Sequence, residues 1–400
     1  MKDLNGLKKL LLLSSFLFAS DELADILSSN QNSLIDIKKR KIKVEALKLE
    51  KSWINPIIVE YSKNYSTQFN KTTNTGQFII AINQPIFKMG GIWEAIKYAK
   101  ALGEANSIDI ELKRRELIYR AINILFNLKK FDLEIEKLNL LIKNDELDIL
   151  IQKESYSAGV TNRTLLDRAL LKRNQDITSK LELEMKRAKL ESDFSLLSDK
   201  NPNEITLPNF TLIDRDIYEN SHLELKRDRF KVDEKRHYKY MTWAKYLPEV
   251  SISTRYVNED KNPLFKNSPI KTEYYTYGFK VSLPININSY RDIEKSKLEY
   301  LNAQISLDEE RKRVINEYIL IKKRLDIIDR KIALSIEDAS NYSSMLLTTQ
   351  NLEKAGDNTS YDTQIVENNL KIRELDQNIY KYDAQIELLK LYQKVEDVVD

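Results

Sequence analysis

The fold is decided by a short stretch that the chain carries twice, as Trp53-Ile54-Asn55-Pro56-Ile57-Ile58-Val59 and as Ala244-Lys245-Tyr246-Leu247-Pro248-Glu249-Val250. In both copies a helical pattern stops at a proline and an alternating, strand-like pattern begins. A second proline closes each strand-like region, at Pro85 and Pro284, and an Ala-Gly turn follows later, at Gly159 and Gly356. These three pairs are offset by 192, 199 and 197 residues, which favours a tandem duplication over chance.

The duplication predicts the domain organisation. The predicted domains, in chain order, are a signal peptide at 1–20, a first repeat at 21–207 and a second repeat at 208–400. Each repeat is expected to contain a helix, two strands, a very long helix, a sharp turn and a shorter helix. The strands are expected at about 56–85 and 248–284, and the hairpin turns near Gly159 and Gly356.

The first residues have the pattern of a secretory signal peptide. A basic segment with Lys2, Lys8 and Lys9 precedes the apolar run 10–18, and small residues for cleavage follow at 19 and 20. An apolar run of roughly 10 residues is too short to cross about 30 Å of hydrocarbon as a helix. The pattern therefore favours a signal peptide over a membrane anchor.

Two proline-free stretches predict very long helices. Their apolar residues advance by threes and fours. The first stretch carries Ala121, Leu125, Leu128, Phe131, Ile135, Leu138 and Ile142, and the second carries Tyr318, Ile321, Leu325, Ile328, Ile332 and Ile336. Such spacing keeps one stripe against a partner helix, as in a coiled coil. About 65 residues at 1.5 Å each give a rod of roughly 100 Å.

The strand candidates alternate between an apolar and a polar face. In the clearest one, Tyr275, Tyr277, Phe279, Val281 and Leu283 alternate with Thr276, Gly278, Lys280 and Ser282. Strands of roughly 9–13 residues suit a tilted membrane-spanning β-strand. Tyr61, Tyr65, Tyr256 and Tyr274 fit an aromatic girdle, although tyrosine is also common in ordinary strands. The alternative is a small soluble hairpin with one face on a helix.

The composition argues against several classes of function. Without Cys the chain has no disulfide, thiol nucleophile or thiolate metal site. The net charge of +3 gives no reason to expect nucleic acid as a partner. No Gly-rich phosphate loop or nucleophile–base pattern is present, so we expect neither a cofactor nor enzymatic activity. His222 and His237, 15 residues apart on a charged helix, are expected to be exposed rather than to bind a metal.

Taken in order, these motifs resemble the TolC-like outer-membrane efflux proteins (outer membrane factors). The segments that carry the resemblance are Asp21–Leu27 with Asn32-Ser33-Leu34, similar to the opening helix; Pro85-Ile86-Phe87-Lys88-Met89-Gly90, similar to the strand-to-helix motif; and Tyr156–Gly159 and Glu353–Gly356, similar to the two hairpin tips. Each motif alone is weak. Their order and spacing over nearly the whole chain after the signal make the resemblance specific.

The resemblance implies a mainly α fold with β structure, in two structural repeats. Long antiparallel coiled-coil helices would form a trimeric α-barrel, continuous with a 12-stranded outer-membrane β-barrel to which each chain gives four strands. The resemblance also implies a passive channel in the cell outer membrane, with a helical tunnel in the periplasm, that serves a tripartite efflux pump or a type I secretion system. The implied partners are two further copies of the chain, a periplasmic adaptor (membrane fusion) protein, an inner-membrane pump and outer-membrane lipid.

The hairpin tips are the candidate site that the resemblance implies. Asp362 and Asp357 would form a periplasmic gate, because three-fold symmetry repeats each carboxylate as a ring and such rings favour cations. For Asp357, helix capping is an equally good hypothesis. Contacts that hold the tips shut are expected from Tyr361, Asn358 and Arg163. The adaptor would dock on Gly159, Val160, Thr161, Gly356 and Thr359.

The chain departs from the family pattern at two places. At the first tip the family usually carries an acidic residue soon after the glycine, whereas here Asp167 arrives late; after Pro284, Asn286-Ile287-Asn288-Ser289 stands where a glycine is expected. The competing hypothesis is a periplasmic coiled-coil adaptor or scaffold without a pore. Such a protein would not need paired strands at equivalent places in both halves.

Overall fold

The computed structural model describes residues 26–68, 71–260 and 271–396, and the predicted signal peptide lies outside them. The described elements, in chain order, are α1 (Ser29–Glu50), β1 (Ile58–Gln68), β2 (Lys71–Phe87), α2 (Gly91–Ser157), α3 (Arg163–Ser195), α4 (Arg215–Asn220), α5 (Leu223–Ala244), β3 (Glu249–Glu259), β4 (Glu273–Ser282), α6 (Ser289–Ala355) and α7 (Ser360–Tyr392). Within the described ranges, no helix is long and apolar enough to cross a membrane.

The main elements of the two halves correspond, although α4 has no counterpart among the described residues of the first half and β2 has 17 residues against 10 in β4. The long helices α2 and α6 each have 67 residues, and the shorter helices α3 and α7 that follow them each have 33. Strands β1 and β3 have 11 residues each, and helices α1 and α5 have 22 each. Each half therefore has the succession of elements that the repeated prolines and glycines predict.

The chain forms two compact units, and neither unit is one of the sequence repeats. The sheet unit comprises Ile37–Ile110 and Glu224–Glu310, and the helical unit comprises Glu111–Leu223 together with the described residues before Ile37 and after Glu310. Each unit thus takes segments from both halves of the chain. The duplication in sequence does not correspond to a division of the fold into two separate bodies.

The sheet unit contains four antiparallel strands in the order β1-β2-β3-β4. The register aligns Val59 with Ile80, Ile80 with Tyr256 and Tyr256 with Tyr275, so one cross-strand row passes through all four strands. A shift in register between Pro85 and Phe87 ends the regular pairing of β2 with β3. Proline has no N–H to donate to the ladder, and such irregularities are where a sheet accommodates it.

The helical unit has the predicted apolar stripe on both long helices. On α2, Ala121, Leu125 and Leu128 are buried, and Phe131 to Ile142 are half-buried along the same stripe. On α6 the buried positions Val314, Ile321, Ile328 and Ser335 recur every seven residues, as in a coiled-coil seam.

Three expectations about single residues are wrong. Ile336 is 53% exposed, because it follows buried Ser335 by one residue and therefore lies about 100° further around the helix. His222 is fully buried and not exposed; its ring stands edge-on to Tyr218 at 5.2 Å, and its backbone bridges to Val395. His237 is half-buried and not exposed, and its imidazole Nδ1 lies 2.7 Å from a carboxylate oxygen of Glu94. His222 lies between α4 and α5 and not in a helix, and the partners Val395 of His222 and Glu94 of His237 are remote in sequence, so neither environment could be predicted.

Candidate functional site

Both long helices end in the same turn. The N–H of Gly159 donates to Tyr156 O (3.0 Å) and the N–H of Val160 to Ser155 O (2.9 Å). In the second hairpin, Gly356 donates to Glu353 O and Asp357 to Leu352 O, both at 3.0 Å. This pair of bonds is the Schellman motif, in which the glycine adopts a left-handed conformation. The glycines have φ values of +70° and +82°, which explains why the Ala-Gly pair recurs.

The helices that follow these turns begin differently. At α7, Thr359 is the N-cap and Asp362 completes a capping box. The Asp362 carboxylate accepts hydrogen bonds from Thr359 N (3.3 Å) and Thr359 Oγ1 (2.6 Å), and Asp362 N donates to Thr359 Oγ1 (3.3 Å). At α3, Asn162 is the N-cap, and its side chain makes no capping hydrogen bond. Side-chain hydrogen bonds therefore cap the helix that follows the second tip, and no such bond caps the helix that follows the first.

In the described chain, the side chains of the predicted gate residues contact other residues and not one another. Asp362 bonds to Thr359, and the neighbouring Tyr361 hydroxyl lies 3.4 Å from a carboxylate oxygen of Glu154 on α2. Arg163 instead lies 3.7 Å from Asp167 on its own helix, and both side chains are exposed. Asp357 is exposed and Asn358 half-buried in the turn itself. Glu154 was not predicted, because it lies 207 residues from Tyr361 in the sequence and no local pattern indicates the contact.

The predicted docking residues lie on the outside of the two turns. Val160 is 77% exposed, and Gly159, Gly356 and Thr359 are also exposed, whereas Thr161 is half-buried. An added Cβ at either glycine would meet no atom within 4 Å. The described chain thus leaves the surface of both turns open.

A ladder of polar pairs joins α2 to α7 in the helical unit. Lys130 Nζ bonds to Asp383 (2.7 Å), Lys137 Nζ to Asp376 (2.6 Å) and Asn144 Nδ2 to Asn369 (3.0 Å). The three pairs follow one another at intervals of seven residues along both helices, in opposite directions. Buried polar pairs at heptad positions fix the register of a coiled coil. The ladder therefore fixes the position of α7, and with it the second tip, along the axis of α2.

A second polar cluster joins α2 to α3. Asp145 is only 2% exposed and accepts a hydrogen bond from Lys172 Nζ at 2.6 Å. Burial raises the pKa of the neighbouring Asp176 carboxyl, and the hydrogen bond and negative charge of Asp145 raise it further, whereas Lys172 lowers it. The first hairpin thus holds two carboxyl groups against one ammonium group.

The sheet has one predominantly apolar face. Because residues two apart in a strand share a face, the register places on it a set of exposed apolar side chains. These are Val59, Tyr61, Tyr65, Ile80, Ile252, Tyr275, Tyr277, Phe279 and Val281. Lys63 and Glu273 are charged members of the same rows. The apolar rows on β4 are between 61% and 83% exposed, so nothing in the described chain covers them.

The opposite face is mixed to polar. It carries Ser62, Asn64, Asn83, Ser253, Arg255, Thr276 and Lys280, with Ile79 and Val257 buried at its centre. Tyr274 also lies on this face. The expectation that it joins Tyr61, Tyr65 and Tyr256 in one girdle is therefore wrong, because the pleat puts Tyr275 there instead. The sheet thus has one apolar face that is exposed in the described chain and an opposite face that is mixed to polar.

The comparisons with known proteins find the fold and no sequence relative. No family model matches the chain, and no curated protein matches its sequence. Solved structures do match. The outer membrane protein VceC of Vibrio cholerae covers 96% of this chain and 97% of its own, at a TM-score of 0.74 and 12% identity.

Two further structures agree. The CmeC outer membrane channel of Campylobacter jejuni covers 96% of this chain and 87% of its own, with a TM-score of 0.74 and 14% identity. The open state of the MtrE outer membrane channel of Neisseria gonorrhoeae covers 96% and 89%, with a TM-score of 0.69 and 9% identity. The chain therefore has the fold of the outer-membrane channels, as its resemblance to the TolC-like group predicts.

Proposed function

We propose that this protein is a passive outer-membrane channel that carries solutes from the periplasm to the exterior. The observation that carries the proposal is the apolar face of the sheet. A row from Val59 through Ile80 and Tyr256 to Tyr275 crosses all four strands. Lipid is the environment in which such a face is stable, because its exposure to water would cost free energy in proportion to its area.

The channel is proposed to be a homotrimer. In the strand order β1-β2-β3-β4, the described sheet leaves the outer edges of β1 and β4 unpaired, which lipid does not tolerate. Two chains would give an eight-stranded barrel, and barrels of that size fill with side chains. Three chains give 12 strands and room for water. The exposed stripe Leu320, Ile327 and Leu334 on α6 supplies a heptad seam for a neighbouring copy.

The second tip is proposed to form the periplasmic gate. Three copies of Asp362, and further out three of Asp357, would place carboxylate rings across the conduit. Tyr361 and Glu154 would hold the tip of one hairpin to α2, and Asn358 and Arg163 would contribute contacts between neighbouring helices. The proposed partners are a periplasmic adaptor, docking on Gly159, Val160, Thr161, Gly356 and Thr359, and an inner-membrane pump of an efflux or secretion system.

The proposal is tested by conductance. The purified full-length protein in detergent is expected to have the mass of three chains, and to give discrete cation-selective openings in a planar bilayer. A soluble monomer or dimer that gives no openings would instead favour the periplasmic scaffold hypothesis. The apolar sheet face would then have to be covered by another protein.

The gate is tested by separating the charge of Asp362 from its capping role. Asp362→Asn is expected to raise single-channel conductance or to weaken cation selectivity, because it removes three charges from the ring. Thr359→Val removes the capping hydroxyl and keeps the carboxylate, so its selectivity is expected to equal that of the unaltered channel. Equal currents in all three proteins would assign Asp362 to capping alone.

A further inference from the structure

A cavity lies at the root of the sheet, where the chain passes between strands and helices. It has a volume of about 510 Å³. Trp53 stands before β1, Lys88 after β2, Lys245 before β3 and Asp292 after β4, and all four line the cavity. All four passages of the chain between sheet and helices therefore border one pocket. Pockets of a few hundred to 1,000 Å³ are the usual size for small ligands and head groups.

The lining of this cavity is positively charged. It contains three lysines, Lys88, Lys245 and Lys295, and one carboxylate, Asp292. Lys88 Nζ lies 3.0 Å from Glu249, and Asp292 accepts a hydrogen bond from the Tyr246 hydroxyl. Within the described ranges, Lys245 and Lys295 form no ion pair with an acidic residue. Both lysines are exposed, so their charges remain available to an anion that enters.

Two hydroxyl groups of the lining are already bonded to the backbone. Thr242 Oγ1 donates to Tyr238 O, and Ser296 Oγ donates to Ile293 O, both at 2.8 Å. The remaining lining is largely apolar, with Trp53, Ile92, Ala95 and Met241. A ligand that suits this lining has a negative group for the two lysines and an apolar part for the rest.

The residues around the root have the character of a membrane–water interface. The aromatic side chains Trp93, Trp243 and Tyr290 are between 50% and 72% exposed, and Ile285 and Ile287 are more than 90% exposed. Lys97 Nζ stands 5.0 Å above the Trp93 ring, and Lys245 Nζ 5.5 Å above the Tyr246 ring. Exposed Trp and Tyr beside Lys are characteristic of segments at the level of lipid head groups.

From these observations we infer that the cavity binds the phosphate head group of an anionic phospholipid, with Lys245 and Lys295 as its ligands. The inference rests on the proposed membrane-inserted function and adds to it a specific lipid site. The phosphate would pair with the ammonium groups of Lys245 and Lys295, which form no ion pair with a carboxylate in the described chain. The first carbons of the acyl chains would continue along the exposed apolar residues at the root, beginning with Ile57. The bound lipid would thereby fix the depth of the sheet in the membrane.

The test measures lipid binding to the delipidated full-length protein in a neutral detergent by native mass spectrometry. Phosphatidylglycerol is expected to bind in preference to phosphatidylcholine. The double variant Lys245→Gln/Lys295→Gln is expected to bind phosphatidylglycerol about thirtyfold more weakly, since each lysine near an anionic head group contributes a factor of about five. Lys297→Gln, an exposed lysine on the same helix that does not line the cavity, is the matched control and is expected to bind as the unaltered protein does.

Two outcomes decide against the inference. Equal binding of phosphatidylglycerol by the double variant and the control overturns it. Complete competition by inorganic phosphate at similar concentration shows a free-anion site and overturns the lipid assignment. If the double variant does not fold, Lys295→Gln alone gives the same comparison at one exposed position. Conductance of the same preparations tests the proposed function separately. A channel that conducts but shows no lipid preference would reject the lipid site and leave the channel function supported.

Discussion

The glycines that end the long helices are required by backbone conformation and not by lack of space. An added Cβ at Gly356 would meet no atom within 4 Å, yet φ is +82°. Gly356→Ala is therefore expected to destabilise the protein by about 1 kcal/mol, the cost of a left-handed residue with a side chain. The change is measured as a lower unfolding temperature in detergent.

A second glycine provides the control for this substitution. Gly278 on β4 also has open space around its Cβ position, but its φ is not positive. Gly278→Ala is expected to leave the unfolding temperature unchanged or to raise it, because alanine reduces the entropy of the unfolded chain. Equal destabilisation by both substitutions would contradict the conformational explanation.

The carboxyl pair of the first hairpin makes stability depend on pH. Because the folded protein raises the pKa of Asp176 above its ordinary value of 3.8, it holds that proton more tightly than the unfolded chain does. The stability that the protonated Asp176 carboxyl contributes is present at low pH and is lost as the pH rises through its folded-state pKa. Asp176→Asn is therefore expected to raise the unfolding temperature at neutral pH. This gain is expected to shrink as the pH falls towards about 4, near the ordinary pKa of an aspartate.

This pH dependence is checked by thermal unfolding across that range. Glu182→Gln removes an exposed carboxylate from the same helix and is expected to give the same small difference at every pH. A lower unfolding temperature for Asp176→Asn at neutral pH would show that the carboxylate stabilises the hairpin and would refute the explanation.

Single-residue roles were only partly predictable from the sequence. The left-handed glycines are readable because an Ala-Gly pair recurs at the end of a helical pattern. The capping box also has a sequence signature, Thr359 followed three residues later by Asp362, although capping was considered an equally good hypothesis for Asp357 and Asp362 was predicted as a gate residue. Glu154 and buried His222 could not be found, because their partners Tyr361 and Val395 are remote from them in sequence.

At the scale of elements, the polar ladder between α2 and α7 should contribute unequally along its length. Asp376 is 3% exposed and bonds to Lys137 and Arg373, whereas the Asp383 side chain is 28% exposed and bonds to Lys130. Lys137→Met is expected to cost about 2–3 kcal/mol, because it leaves a buried carboxylate with one partner. Lys130→Met is expected to cost about 1 kcal/mol or less, because water can replace the lost partner.

The two variants are compared by equilibrium unfolding in detergent, each together with a variant of its acidic partner. The coupling energy from the double-mutant cycle is expected to be larger for Lys137 with Asp376 than for Lys130 with Asp383. A larger coupling at the exposed pair would mean that burial does not govern the ladder.

Element lengths were predictable, and element partners were not. Proline and glycine mark where helices and strands stop, and the period of the apolar residues gives the type of each element. The same period does not say which helix packs on which. The pairing of α2 with α7 joins residues more than 220 positions apart, and nothing local encodes it.

At the scale of the whole molecule, the exposed stripe of α6 is expected to hold the copies together. Ile327 is 52% exposed and lies between Leu320 and Leu334 at heptad spacing. Ile327→Lys is expected to shift the detergent-solubilised protein from three chains towards one, because it places a charge in an apolar seam. Ala333→Lys, exposed on another side of the same helix, is expected to leave the mass at three chains.

Light scattering in detergent or native mass spectrometry measures both variants. Loss of the three-chain species in both, or in neither, would place the contact between copies elsewhere. No sequence motif predicts the number of copies; three are proposed because the sheet edges are open and eight strands would leave no room for water. The division into two compact units was likewise unpredictable, since it cuts across the repeat that the sequence displays.

The unequal fastening of the two tips has a kinetic consequence. Helix α7 starts with a reciprocal pair of side-chain bonds and α3 starts with none, so the first turn of α3 should fray more often. In hydrogen exchange, the first amide protons of α3 should be lost sooner than those of α7. Of the two tips, the one at Gly159 would then reshape readily around a partner, and the one at Gly356 would keep its form until a partner pulls on it.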